Sequence, residues 1–151
     1  MNMNRSKSTL AALLLATFAV GGLQAFAQTA ASRESNQHMK IRVGTNTFTV
    51  TLENNPSAIA FKALLPMTVN MTELNGNEKY LRFAKKLPTN ASNPRTIHKG
   101  DVMLYGDNTV VLFYKTFSTS YDYTRLGRIN DPAGLSSALG SGNVTVTFEL
   151  E

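Results

Sequence analysis

From Met39 onward the chain is written in short alternating runs broken by tight-turn residues, and this pattern excludes most architectures. "MKIRVGTNTFTVTLE" places Ile41 and Val43 on one face, then Phe48, Val50 and Leu52 on one face beyond the "GTN" turn. Period-two alternation around a Gly/Asn turn predicts a β-hairpin. "MTVNMTELN" and "EKYLRF" repeat the texture around Asn75-Gly76, and "VMLYGDNTVVLFYK" repeats it around Gly106-Asp107-Asn108. "YTRLGRI" is a further strand, and "NVTVTFELE" closes the chain with Val144, Val146 and Phe148 inward. Two passages follow helical rules instead. In "NNPSAIAFKALLP", Asn55 can cap, Pro56 sits at the first helical position, Ala58, Phe61 and Leu65 share a face, and Pro66 marks the stop. Asp131-Pro132 opens a short second helix, "PAGLSSAL", that Gly140 ends. About eight short strands with two short helices predict a mainly β domain, a closed or nearly closed barrel capped by helices.

The first residues stand outside this pattern. Arg5 and Lys7 precede the apolar run "TLAALLLATFAVGGL", and Ala25 and Ala27 place small residues before a cleavage point. This is the order of a secretory signal peptide over residues 1–27, and the run is short of the ~20 apolar residues of a membrane span. No stable membrane insertion is expected after cleavage. Residues 28–38, "QTAASRESNQH", read as a flexible tether. The domain is therefore expected over residues 39–151, exported to the periplasm or beyond. The chain has no cysteine, so neither a lipid anchor at the cleavage point nor a disulfide is available, and burial alone must hold the domain together. Its 15 basic and 10 acidic residues give a formal charge of +5. Without Arg5 and Lys7 the excess is mild and argues for neither nucleic acid nor a membrane surface.

The element order and several phrases resemble the cyclophilins. "FTVTLENNPSAIAFKALLP" is similar to their opening strand, turn and helix, "LGRINDPAGLSSAL" to the strand that leads into their last helix, and "VTVTFEL" to their closing strand. "LNGNEKY", "LPTNASNP", "IHKGDVMLYG" and "VLFYKTFSTSY" resemble the small bacterial cyclophilin-like domains still more closely. The resemblance covers nearly all of residues 39–151. It implies a cyclophilin-like barrel and raises prolyl cis/trans isomerisation, which needs no nucleophile or metal, only stabilisation of the twisted amide. The phrases that carry the cyclophilin arginine and its following glycine-rich segment are missing. Arg82 is the nearest arginine in chain order, Phe113 matches the pocket phenylalanine, and the cyclophilin tryptophan has no counterpart because the chain contains no tryptophan.

Other chemistries find little footing. A metal site needs converging ligands, and His98 has no cysteine or second histidine near it. No cofactor or metal is expected. The flanking glycines of a nucleophile elbow are missing around every serine, and "LGSG" follows a helix, the wrong context for a phosphate loop. The stretch from Lys79 to Lys99 holds Lys85, Lys86 and Arg95 with no acid, a local basic rim that reads as a solvated loop. Arg82 itself reads equally well as a solvated strand end. "FYKTFSTSYDYTRLGRI" is different, too polar for core and too aromatic for a neutral linker. Phe117 is expected to cover a barrel end. Tyr121 and Tyr123 either do the same or line a cleft with Phe113, Tyr105 and Arg125. The expected function is binding of a small molecule or extended peptide in that aromatic cleft. The alternatives are a weak prolyl isomerase or folding helper with Arg82 as its catalytic candidate, and an interaction module for another envelope protein.

Overall fold

A computed structural model describes residues 37–151. The expected signal peptide, and the tether up to residue 36, lie outside the described residues. Ten strands and two helices follow in order: β1 (His38–Val43), β2 (Asn46–Leu52), α1 (Pro56–Lys62), β3 (Met67–Leu74), β4 (Glu78–Arg82), β5 (Thr96–Ile97), β6 (Asp101–Tyr105), β7 (Thr109–Phe113), β8 (Phe117–Ser118), β9 (Thr124–Ile129), α2 (Leu135–Leu139) and β10 (Val144–Leu150). Eight of the strands close an antiparallel barrel in the order β1-β10-β3-β4-β7-β6-β9-β2, and β5 and β8 pair separately. Closure gives every barrel strand two neighbours and leaves no barrel edge exposed.

Alternation sets the core. Ile41 faces Phe48 across the β1–β2 ladder and Phe148 across the β1–β10 ladder, and all three are buried. Phe61 of α1 enters the same core and meets Phe148 edge-on, ring centroids 5.7 Å apart. Leu135 and Leu139 of α2 join it. Asn55 caps α1 as expected, its side chain accepting from the Ala58 N–H at 2.8 Å. The helix ends at Lys62, however, before the expected proline stop. The second helix also starts later than expected. Asp131 Oδ1 accepts from the Ala133 N–H at 2.9 Å, forming a turn, and Gly134 at φ +75° separates that turn from α2. A left-handed residue cannot continue a right-handed helix, so helical geometry begins only at Leu135.

A second, smaller core lies on the opposite face of the sheet. Ile97, Met103, Val111, Phe113 and Tyr123 pack there, with Tyr80 and Phe117 against them. Consequently β7 is buried along its whole length, Val110 and Leu112 to the barrel interior and Val111 and Phe113 to the outer cluster. What covers this outer face is the long polar segment after β4, together with residues 117–123. Backbone bonds fasten the two. The Thr119 N–H donates to the Arg95 carbonyl at 2.9 Å, and Ser92 and Tyr123 exchange two bonds of 3.0 Å. The segment expected to be a solvated loop is thus a scaffold for the aromatic stretch.

Candidate functional site

Strand β4 carries the site because its alternation splits chemically. Glu78, Tyr80 and Arg82 project from its outer face, whereas Lys79 and Leu81 turn toward the barrel interior. The Asn75-Gly76 hairpin sets this register. Both residues have positive φ, 56° and 66°, the backbone an Asn-Gly turn supplies at low cost, and the Gly76 N–H is held by Glu73 Oε1 at 2.8 Å. Leu74 then pairs with Glu78.

A cleft of about 490 Å³ opens on this outer face, within the usual range for small-ligand sites. Its floor is formed by Tyr80, Thr109 and Val111, and its far wall by Phe117, Tyr121 and Tyr123. Tyr105 links the two sides. Its ring lies 6.0 Å from Tyr121 and 5.7 Å from Tyr123, and Phe113 continues the row at 5.5 Å from Tyr123 and 5.7 Å from Phe117. Five rings therefore run in unbroken contact along the cleft. Edge-on and tilted contacts of this kind fix ring orientation as well as burying area. Tyr121 is 61% exposed and Tyr105 46%, unusual for large side chains and enough to present ring surface to a ligand.

The sequence candidates separate here. Arg82, Tyr105, Tyr121 and Tyr123 all line the cleft. Phe113 is fully buried beneath it and supports the rings above without lining the cleft. Arg125 is exposed on β9 and does not line it; its carbonyl instead accepts from Asn55 Nδ2 at 2.8 Å. Phe117, expected as a cover, lines the wall while packing on Phe113.

Two residues emerge that sequence reasoning passed over. Glu78 lines one end of the cleft and makes no hydrogen bond or ion pair with any described residue. Burial, reinforced by the charge of Glu73, pushes its carboxyl up to about 7. Beside it, Asn77 also lines the cleft, and its buried Oδ1 has no donor among the described residues. Tyr123 is raised above its ordinary value by burial and then by the charge of Glu78. The hint available in the text was parity: Glu78 shares a strand face with Tyr80 and Arg82.

Lys79, grouped above with the basic rim, is instead completely buried. Its Nζ pairs with Glu73 and donates to the carbonyls of Gly140 at 2.9 Å and Gly142 at 2.5 Å. Tyr114 donates to Glu73 at 2.9 Å and lies under the Lys79 ammonium. Burial alone would raise the Glu73 carboxyl, but the hydrogen bonds from Lys79, Tyr114 and the Gly76 N–H hold it below its ordinary value. Tyr114 is pushed up to about 12 by burial and by its bond to Glu73. This network is structural and borders the Glu78 end of the cleft, where the Glu73 charge acts on Glu78. His98 stands half-exposed beside Asp101, whose buried carboxylate accepts from the His98 N–H at 2.8 Å and from Arg128 Nε at 2.7 Å. Asp101 is thereby occupied in bracing the turn before β6. Among the described residues, no group of three or more His, Asp or Glu side chains converges as a metal site.

The closed antiparallel barrel, its two short helices and the aromatic cleft on the outer sheet face together define a small β-barrel domain. The chain belongs to the Cyclophilin-like family, whose model matches residues 41–149. The solution structure of a hypothetical protein from Archaeoglobus fulgidus is similar in fold, with a TM-score of 0.53 at 18% identity, covering 76% of this chain and 95% of that one. No curated protein matches.

Proposed function

We propose that this is an exported cyclophilin-like domain that binds a small molecule or short extended peptide in the aromatic cleft without making or breaking bonds. The observation that carries the reading is the row of rings from Tyr121 through Tyr105 and Tyr123, partly exposed and standing over an apolar floor. Aromatic walls give a ligand apolar area and stacking, and a few polar groups at the margins give orientation. Export is supported by Arg5 and Lys7 before the apolar run and by Ala25 and Ala27 after it.

The test is titration of the isotope-labelled full chain with short aromatic peptides, followed by amide chemical shifts. Shifts should cluster on residues 78–82, 105 and 117–123, and Tyr105→Ala with Tyr121→Ala should weaken binding by about tenfold or more, since a stacked ring contributes on the order of 1 kcal/mol. Shifts scattered over the barrel, or none, would remove the cleft as the site.

A prolyl isomerase remains the second reading, because Arg82 does line the cleft. Its expected apolar seat does not line the cleft, since Phe113 is fully buried beneath it. Acceleration of prolyl isomerisation that is lost in Arg82→Ala would establish that reading.

A further inference from the structure

The cleft has a free acid at one end and a free base at the other. Glu78 and Arg82 occupy the same face of β4, four residues apart, which at the rise of a strand separates their backbones by roughly 13 Å. Neither side chain forms an ion pair with a described residue, although the basic and acidic groups nearby are mostly engaged: Lys79 with Glu73, Lys86 with Asp107, Arg128 with Asp101. Beside Glu78, the Asn77 Oδ1 also lacks a donor among the described residues, although that atom is closed off from the cleft. A carboxylate without a partner beside a tyrosine ring makes a setting that favours an ammonium, which can donate several hydrogen bonds and gains from the faces of the rings. At the Arg82 end, Tyr105 and Thr109 flank a guanidinium whose donors match a carboxylate.

We propose that Glu78 and Arg82 act as the two ends of a ruler, selecting ligands that carry an ammonium at one end and a carboxylate at the other about a short peptide's length away. An extended peptide of three residues spans at most about 10 Å, and one of four about 13 Å, so a tripeptide or tetrapeptide with free termini fits the separation. Its side chains would lie against the ring row between the two charges. This inference rests on the cleft being the binding site.

The groups that face Glu78 are Glu73 of β3, Tyr114 beyond β7 and Tyr123 before β9, while Arg82 of its own strand stands at the other end of the cleft. Glu73 is satisfied by Lys79 and Tyr114, so none of these neighbours supplies Glu78 with a cation. A ligand ammonium would do so.

The experiment uses the full chain and four probes: the tripeptide Ala-Phe-Ala with free termini, its N-acetyl form, its C-terminal amide, and phenethylammonium as a lone amine. Affinities are read at about pH 7.5, where the ammonium and Glu78 are both largely charged. The free peptide should bind about tenfold or more tightly than either blocked form. Glu78→Gln should abolish the preference over the N-acetyl peptide while keeping the preference over the amide, and Arg82→Gln should do the reverse. At about pH 5.5 the preference over the N-acetyl form should shrink, because Glu78 is then protonated. Equal binding of free and blocked peptides at the cleft would overturn the ruler and leave the cleft reading intact. Phenethylammonium binding as tightly as the free peptide, with no effect of Arg82→Gln, would also overturn it. If no probe shifts the cleft residues, both readings fail together.

Discussion

At the scale of single residues, the cleft carries a cost that the rest of the domain avoids. Glu78 in the folded chain keeps its proton up to about 7, whereas an unfolded glutamate loses it near 4.5. Between those values the folded state binds more protons than the unfolded state, so stability falls as pH rises through this window. Above it the full penalty of the uncompensated charge is present. Glu78→Gln should therefore raise the melting temperature at about pH 8, by a stabilisation on the order of 1 kcal/mol after solvent screening, and change it little at about pH 4. Paired thermal melts at the two pH values check this, and an equal shift at both would show that the carboxyl is not held strained. Under the proposed binding function, this cost would be an exchange of stability for activity. By contrast, Asp101 is more deeply buried than Glu78 yet fully engaged by Arg128 and the His98 N–H.

At the scale of elements, most of the molecule follows from local chemistry. Helix α1 is seven residues long, too short to persist by propensity alone. Asn55 fixes it at both levels, accepting from the Ala58 N–H and donating to the Arg125 carbonyl on β9. Asn55→Ala removes the cap and the tie, and should cost about 1–2 kcal/mol in a urea titration. Asn55→Asp keeps the capping oxygen and should recover part of the loss, the remainder being the bond to β9. The strands were legible in the same local way. Alternation located β1, β2 and β10, continuous apolar runs located β6 and β7, and turn residues located the hairpin bends. The ends of α1 and α2 were less legible, because helix termini depend on which backbone groups find partners beyond the helix.

At the scale of the whole molecule, closure brings distant residues into contact at both ends of β4. Lys79 joins β4 to Glu73 of β3 and to the glycine loop after α2, sixty-one and sixty-three residues away along the chain. Lys79→Ala would leave the Gly140 and Gly142 carbonyls without this donor and Glu73 without its cation, and should cost about 3–5 kcal/mol. Adding Glu73→Gln to that variant should restore part of the stability, since the stranded charge is removed with it; additive losses would show that the pair is not coupled. Local text could not reveal this role. In sequence Lys79 is one more basic residue of a polar stretch, and only the register fixed by Asn75-Gly76, together with closure against β3 and α2, turns it inward.

The amino-acid sequence by itself determined the eight barrel strands, the Asn55 cap and the barrel class, but not the β5–β8 pair, because alternation, turn residues and caps act through neighbours only a few positions apart. It also placed Tyr105, Tyr121 and Tyr123 among the candidates as aromatics in or near a polar stretch, and the family resemblance added Arg82. Only the tertiary structure decided that Phe113 lies beneath the cleft, that Arg125 faces elsewhere, and that Glu78 and Asn77 belong to the site. Those outcomes depend on β7 being covered on both faces and on the segment after β4 folding across the sheet to hold residues 117–123. Both are contacts between parts of the chain far apart in sequence, and no short-range pattern encodes them.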